Sequence, residues 1–281
     1  MSNFPQNRLP MLVILASGLN GFTEIRPISS HASQAVFPPT EIQLVFFQNE
    51  RTPSVDRARD LFNQGVDKAK SGDYKGAIQN FDQAIRLNPN DTNAYIDRGV
   101  AHAALGNNEA AIANFNSAIR LNPNDAIAYN NRGNAHMALG DNGAAIADFN
   151  SAIRLNPNDA IAYTVRGGLH AALGDDQAAI ADLNQALQLN PSNAKAYNNR
   201  GVVYLLLGNK QAAIADFNQA IQLNSNDADA YDNRGMAYFN LGNKQAALED
   251  YQKAAVLYQQ QGKLDNYEHT LNRLRKLQSG V

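Results

Sequence analysis

Along most of the chain, apolar residues recur three and four positions apart in stretches of about 14, each closed by a glycine or an asparagine-rich break. That spacing places apolar side chains on one face of an α-helix. The breaks keep strict time. L-N-P-N-D occurs at 87–91, 121–125 and 155–159, L-N-P-S-N at 189–193 and L-N-S-N-D at 223–227, each 34 residues after the last. With Ala58 as slot 1, six units of 34 tile residues 58–91, 92–125, 126–159, 160–193, 194–227 and 228–261, or 204 of 281 residues. A single unit cannot bury its apolar face alone and stacks on its neighbours. The pattern therefore predicts an all-α array in which slots 1–14 and 17–30 of every unit form a helical hairpin.

Individual slots sharpen this. Slot 15 is always glycine (Gly72, Gly106, Gly140, Gly174, Gly208, Gly242), as expected just past a helix end, where a positive φ is needed. Slot 8 is also always glycine, Gly65 through Gly235. A mid-helix glycine costs about 1 kcal/mol relative to alanine, so its repetition predicts close approach of the two helices, with the invariant alanine of slot 20 as partner. Aromatic residues dominate slots 4 and 24, as in Tyr129 and Phe149. Pro89, Pro123, Pro157 and Pro191 are expected to stop the second helix, and Asp91, Asp125, Asp159 and Asp227 to cap the next one.

The aromatic at slot 4, Gly at 8, aromatic or His at 11, Ala at 20, aromatic at 24, Ala at 27 and Pro at 32 resemble the tetratricopeptide repeat (TPR). The resemblance implies a right-handed superhelix of six hairpins, an α-solenoid, with the first helices lining a concave groove through slots 2, 5, 6, 9, 12 and 13. Three departures stand out: slot 7 is arginine from Arg98 to Arg234, Ser225 replaces a proline, and the sixth unit loses the pattern after Ala254. The slot-7 arginines are expected to pair with carboxylates such as Asp148, Asp182, Asp216 and Asp250. Their Y-x-N-R-G idiom resembles TPR proteins of photosynthetic bacteria, which suggests an assembly factor for a membrane complex.

The ends differ from the array. Residues 262–281 read as a C-terminal capping helix, with Asp265 and Glu268 at capping-box spacing, Tyr267, Leu271 and Leu274 on one face, and Arg273, Arg275 and Lys276 outward. Residues 1–35 carry Arg8, a mostly apolar run at 9–19 and small residues at 33–35, the order of a secretory signal peptide. The alternatives are a disordered leader or a segment docked on the first repeat. Export would place the protein in a periplasm or lumen; otherwise it is cytoplasmic. The run at 9–19 is too short to span a bilayer directly. Residues 36–57, with I-Q-L-V-F-F at 42–47, read as a linker or N-terminal extension.

Composition narrows the function. The chain has no cysteine, so disulfides, zinc–thiolate sites and cysteine nucleophiles are excluded. Its 24 basic and 26 acidic side chains give no electrostatic pull towards nucleic acid. His102, His136 and His170 share slot 11 with Tyr204 and Tyr238, which fits an aromatic packing position; neighbouring helices about 8–10 Å apart do not bring three such imidazoles onto one metal. No phosphate loop, dinucleotide fingerprint or nucleophile elbow is present. The reading is a non-enzymatic scaffold with no cofactor and no metal, whose partner is a protein or peptide.

Units two and three locate the binding face. They are identical at 25 of 34 slots, and five of the nine changes fall in the six groove slots, where an even spread (9 × 6/34) puts about 1.6. Slot 6 carries Asn63, Asp97, Asn131, Asn199 and Asn233, and Asn134 stands at slot 9. Side-chain amides offer a donor and an acceptor and so match peptide main chain, although asparagine is also simply frequent at this slot in TPRs. Nearer the C-terminus the lining is apolar: Val202, Leu205, Leu206, Met236 and Phe239, either an anchor for a partner or packing between repeats. Slot 5 carries no lysine, which rules out the basic clamp that some TPRs use for chaperone tails. A competing reading is a structural repeat protein that self-associates through its C-terminal cap or Ile42–Phe47.

Overall fold

The computed structural model describes residues 53–279. Residues 1–35, read as a possible export signal or leader, and the linker up to residue 52 lie outside the described residues. Thirteen helices and no strand are found among the described residues. They are α1 (Pro53–Lys70), α2 (Tyr74–Leu87), α3 (Thr92–Ala104), α4 (Asn108–Leu121), α5 (Ala126–Ala138), α6 (Asn142–Leu155), α7 (Ala160–Leu173), α8 (Asp176–Leu189), α9 (Ala194–Leu206), α10 (Lys210–Leu223), α11 (Ala228–Asn240), α12 (Lys244–Gln260) and α13 (Leu264–Ser279). Described residues through Asp148 form one compact unit and those from Phe149 onward a second. The helices follow the 34-residue register, with an extension at each end: α1 begins at Pro53, so residues 53–57 belong to the first helix and not to the linker, and α12 runs past slot 30 to Gln260.

The inter-hairpin turns explain the register. The slot-31 side chain accepts a hydrogen bond from the amide two residues on, as Asn88 does from Asn90 at 3.3 Å and Asn224 from Asn226 at 3.1 Å. Asp91, Asp125, Asp159 and Asp227 then cap α3, α5, α7 and α11, as expected. Proline is not what stops the second helix. With Ser225 in place of proline, α10 still ends at Leu223. Where slots 31–34 are Tyr258–Gln261 and the asparagine is lost, α12 runs on to Gln260. Asparagine ends the helix by offering its backbone a competing local bond. The slot-16 residues Asp73, Asp175, Asn209 and Asn243 cap the second helices, a role the sequence reading missed.

Inside each hairpin the slot-24 side chain fills the core: Phe81, Phe115, Leu183 and Phe217 are no more than 1% exposed. These side chains correct the expectation for slot 8. A Cβ on Gly201 would stand 2.6 Å from the Phe217 ring, and one on Gly99 at 2.6 Å from Phe115. The glycine therefore makes room for a ring, and the slot-20 alanine is not its main partner. Slot-15 glycines do adopt positive φ, between 78° and 84°.

The slot-7 arginines hold hairpins together as anticipated. Arg166 grips Asp182 with two nitrogens at 2.7 and 2.6 Å, and its third nitrogen reaches Asn150 of the preceding second helix at 2.6 Å. Arg132, Arg200 and Arg234 repeat this on Asp148, Asp216 and Asp250. Each also stacks over its slot-4 tyrosine, Arg200 lying 5.6 Å from the Tyr197 ring centre. Arg98 differs: it bonds Asn114 and pairs with Asp82 of the preceding hairpin.

At the C-terminal end α13 packs on the sixth hairpin, with two corrections to its expected layout. Asp265 lies inside the first turn, because the helix starts at Leu264. Arg273 does not point outward; it pairs with Asp232, which is 2% exposed and also accepts from the Thr270 hydroxyl at 3.0 Å.

Candidate peptide-binding face

First helices lie side by side within each unit: α1, α3 and α5 in one, α7, α9 and α11 in the other. Their groove slots differ in exposure. In the N-terminal unit Asn63 is exposed, while Asp97, Asn131 and Asn134 are half-buried. The Asn134 carboxamide oxygen is buried with no hydrogen-bond partner. Burial pushes the Asp97 carboxyl up to about 7, with the nearby Asp91 carboxylate adding to the effect. This side chain is thus poised between acceptor and donor near neutrality.

In the C-terminal unit several expected wall residues belong to the interior. Val202 and Leu205 are 1% and 6% exposed and sit in one core cluster with Leu183, Leu187 and Phe217. Leu206 and Met236, half-buried, pack against that cluster. Asn233, 1% exposed, donates to the Asn198 carboxamide oxygen of the neighbouring first helix at 3.1 Å. For Val202, Leu205 and Asn233 the groove-lining assignment is therefore corrected: large side chains at slots 9 and 12 close the gap between adjacent hairpins. Phe239, at 44% exposed, stays on the surface.

Asn199 is the exception among the buried group. It borders a cavity of about 220 Å³ between the N-terminal ends of α9 and α11, closed by the turns at 224–227 and 261–263. The residue is 6% exposed, and its side chain borders the cavity. Around it stand Lys195, Asn198, Asp227, Asp229 and Lys263. Asp229 accepts from the Tyr258 hydroxyl at 2.7 Å and pairs with Lys263 at 3.5 Å. Burial, reinforced by Asp229, raises the Asp227 carboxyl to about 6. With both signs of charge and several amides, the cavity suits a neutral polar group such as a peptide unit. Sequence reasoning singled out Asn199 for the site but none of its charged neighbours: Asp227 was explained as a helix cap, Lys195 and Asp229 stand in groove slot 2 without having been named, and Lys263 lies just past the sixth unit.

The slot-11 histidines stand beside local carboxylates. His136 lies 3.9 Å from Asp148 and His170 3.8 Å from Asp175, while burial lowers the pKa of His102. Among the described residues no three metal-ligating side chains converge. No helix among them is long and apolar enough to cross a membrane.

Family models of the TPR repeat match residues 67–106 and 101–140, and tetratricopeptide repeat models match 130–194, 194–227 and 228–265. The chain is a TPR protein. No curated protein matches the sequence. Among solved structures, the chain resembles the MamA protein at 27% identity, covering 61% of this chain and 94% of that one with a TM-score of 0.53. TTC0263, a thermophilic TPR protein of Thermus thermophilus, shares 26% identity over 64% of this chain and 98% of its own, with a TM-score of 0.54. YrrB, described as a TPR protein with an unusual peptide-binding site, shares the fold at 24% identity, 68% and 97% coverage and a TM-score of 0.54. TPR arrays are protein-interaction scaffolds and generally non-catalytic, and this TPR chain has the helical-repeat architecture on which such scaffolds are built.

Proposed function

We propose that this TPR protein is a non-enzymatic scaffold that holds an extended peptide or protein segment against its first-helix face, and that it serves as an assembly factor. The observation that carries the reading is the cavity of about 220 Å³ bordered by Asn199, whose lining of amides and both signs of charge suits a peptide unit. A hydrogen bond between the Asn199 amide and a ligand's main chain contributes about 0.5–1.5 kcal/mol. Phe239 supplies exposed apolar surface for a partner side chain, and Asn63, Asp97, Asn131 and Asn134 offer polar contacts in the other unit. The peptide-binding site named for YrrB gives a precedent for this use of the fold. If residues 1–35 are an export signal, the scaffold works in a periplasm or lumen; an intact Met1 or Ser2 on protein from its native host would rule that out.

The test compares wild type, Asn199→Ala and Phe239→Glu in affinity capture from the native host. Both variants should retain wild-type thermal stability within about 1 kcal/mol, since one trims a side chain that borders a cavity and the other alters a surface ring. Partner recovery should fall at least about tenfold in each, as expected for losing ~1.4 kcal/mol of binding. Undiminished recovery of the same partner by both variants would refute this assignment.

A further inference from the structure

One edge of the C-terminal unit carries an exposed leucine at the turn inside each hairpin. Leu173 ends α7, and Leu207 and Leu241 follow directly on α9 and α11; they are 51%, 54% and 43% exposed. Because α7, α9 and α11 lie side by side, the three turns form a row. The Lys210 ammonium donates to the Asn240 carbonyl, which fastens the turn of hairpin five to that of hairpin six and sets Leu207 beside Leu241. The turn itself does not require a leucine: hairpin one makes it with Ser71 in that slot and Gly72 at φ 84°. Scattered surface leucines need no explanation, whereas aligned ones rimmed by polar residues mark an interaction surface.

The charges next to this row change sign along it. Two residues after Leu173, the exposed Asp175 caps α8. After Leu207 and Leu241 the second helices open instead with Lys210 and the exposed Lys244. An edge that is acidic at one end and basic at the other is complementary to itself when turned round. A two-fold axis through Leu207 sets Leu173 against Leu241 of a second copy and Asp175 against its Lys244, each contact occurring twice. A net charge of -2 raises little repulsion between two copies. In the N-terminal unit the turns after Leu105 and Leu139 carry Asn108 and Asn142 where α10 and α12 have lysine, so the pattern belongs to the C-terminal unit.

From this we infer that the protein forms a two-fold dimer with a second copy of itself through the edge of Leu173, Leu207 and Leu241. The surface differs from the C-terminal cap and from residues 42–47, through which the sequence suggests self-association. It is also separate from the candidate peptide site. The edge lies at the C-terminal ends of the first helices, and the Asn199 cavity at the N-terminal ends of α9 and α11, about 20 Å away along a 13-residue helix. The dimer therefore leaves the cavity open and offers two of them, so a partner with two copies of the recognised segment gains avidity.

Sedimentation velocity of the full-length chain from about 1 to about 200 µM tests this. Wild type should be a dimer at the upper end of that range, as expected of an interface below about 1,200 Å². Leu207→Glu sets two carboxylates against each other on the axis and should stay monomeric throughout, with its thermal midpoint unchanged because the side chain lies on the surface. Asp175→Asn keeps the α8 cap, since Asn209 and Asn243 cap α10 and α12 from the same slot. Asp175→Asn and Lys244→Gln should each weaken the dimer about three- to tenfold, and the double variant should fall within about twofold of either single one, because the pair is already lost. Should Leu207→Glu lower stability, this charge cycle decides alone. A monomer at all concentrations, a dimer that survives Leu207→Glu in a folded chain, or additive effects of the two charge changes each overturns the inference. Asn199→Ala and Phe239→Glu should dimerise like wild type, so the dimer and the peptide site fall separately.

Discussion

Hairpins two and five are built on one template, yet they use it differently. Val100 and Val202 occupy the same slot and are the same residue, but Val100 is half-buried and Val202 is 1% exposed. The difference tracks what stands three and four positions later. Hairpin two has Ala103 and Ala104, whereas hairpin five has Leu205 and Leu206, and adjoining hairpin six adds Met236. Larger side chains fill the space between neighbouring first helices and convert a wall position into core. Charge follows the same division. Arg98 pairs with Asp82, whose side chain is 39% exposed, whereas Arg273 pairs with Asp232 at 2%.

That contrast predicts a ranking of effects. The largest belongs to Arg273→Ala, which strands the Asp232 carboxylate in the interior; removing one partner of a buried pair costs about 3–5 kcal/mol. Urea unfolding should register this loss. Arg98→Ala, acting on a more exposed partner, should cost no more than about 1 kcal/mol of pair energy plus its lost packing. Equal losses would mean that burial does not separate the two ends.

A smaller effect is expected at slot 12. Leu205→Ala should lower stability by about 2–4 kcal/mol, the cost of a cavity in a packed cluster. Ala103→Leu at the same slot of hairpin two should change it by less than about 1.5 kcal/mol, because the site is half-open. A large penalty at Ala103 would show that the two faces are equally packed.

The smallest effect is a slope. Burial holds the Asp97 carboxyl at about 7, against an ordinary value of 3.8. The folded chain therefore binds more protons there than the unfolded one between pH 4 and 7. This group's contribution is favourable at low pH and is lost as pH rises through that window. Asp97→Asn should match wild type near pH 4, exceed it in stability at pH 8 and flatten the intervening slope in urea midpoints. An unchanged slope would show that Asp97 is not desolvated.

Much of the fold was legible because it depends on local chemistry repeated in register. Glycine at slot 15 is required by a positive φ, and aspartate at slot 34 by unpaired amides at a helix start. The arginine–aspartate pairs were also foreseeable, since slots 7 and 23 face each other in any such hairpin. The turn was partly misread: proline is the more visible helix breaker, but Asn224 shows that the asparagine side chain does the stopping. The candidate site was less legible. Asn199 and Asn233 are the same residue in the same slot, yet one borders a cavity and the other bonds Asn198.

Periodicity by itself determined the helices, their ends and the pairing within each hairpin, because those rest on contacts close in sequence or repeated at fixed spacing. Only the packed structure decided which groove-slot side chains are wall and which are core. Exposure depends on the volumes of side chains contributed by neighbouring helices, and that sum is not a property of any one slot. The same reason explains Arg273: a charge on the last helix turns inward when the hairpin beneath it presents a buried carboxylate.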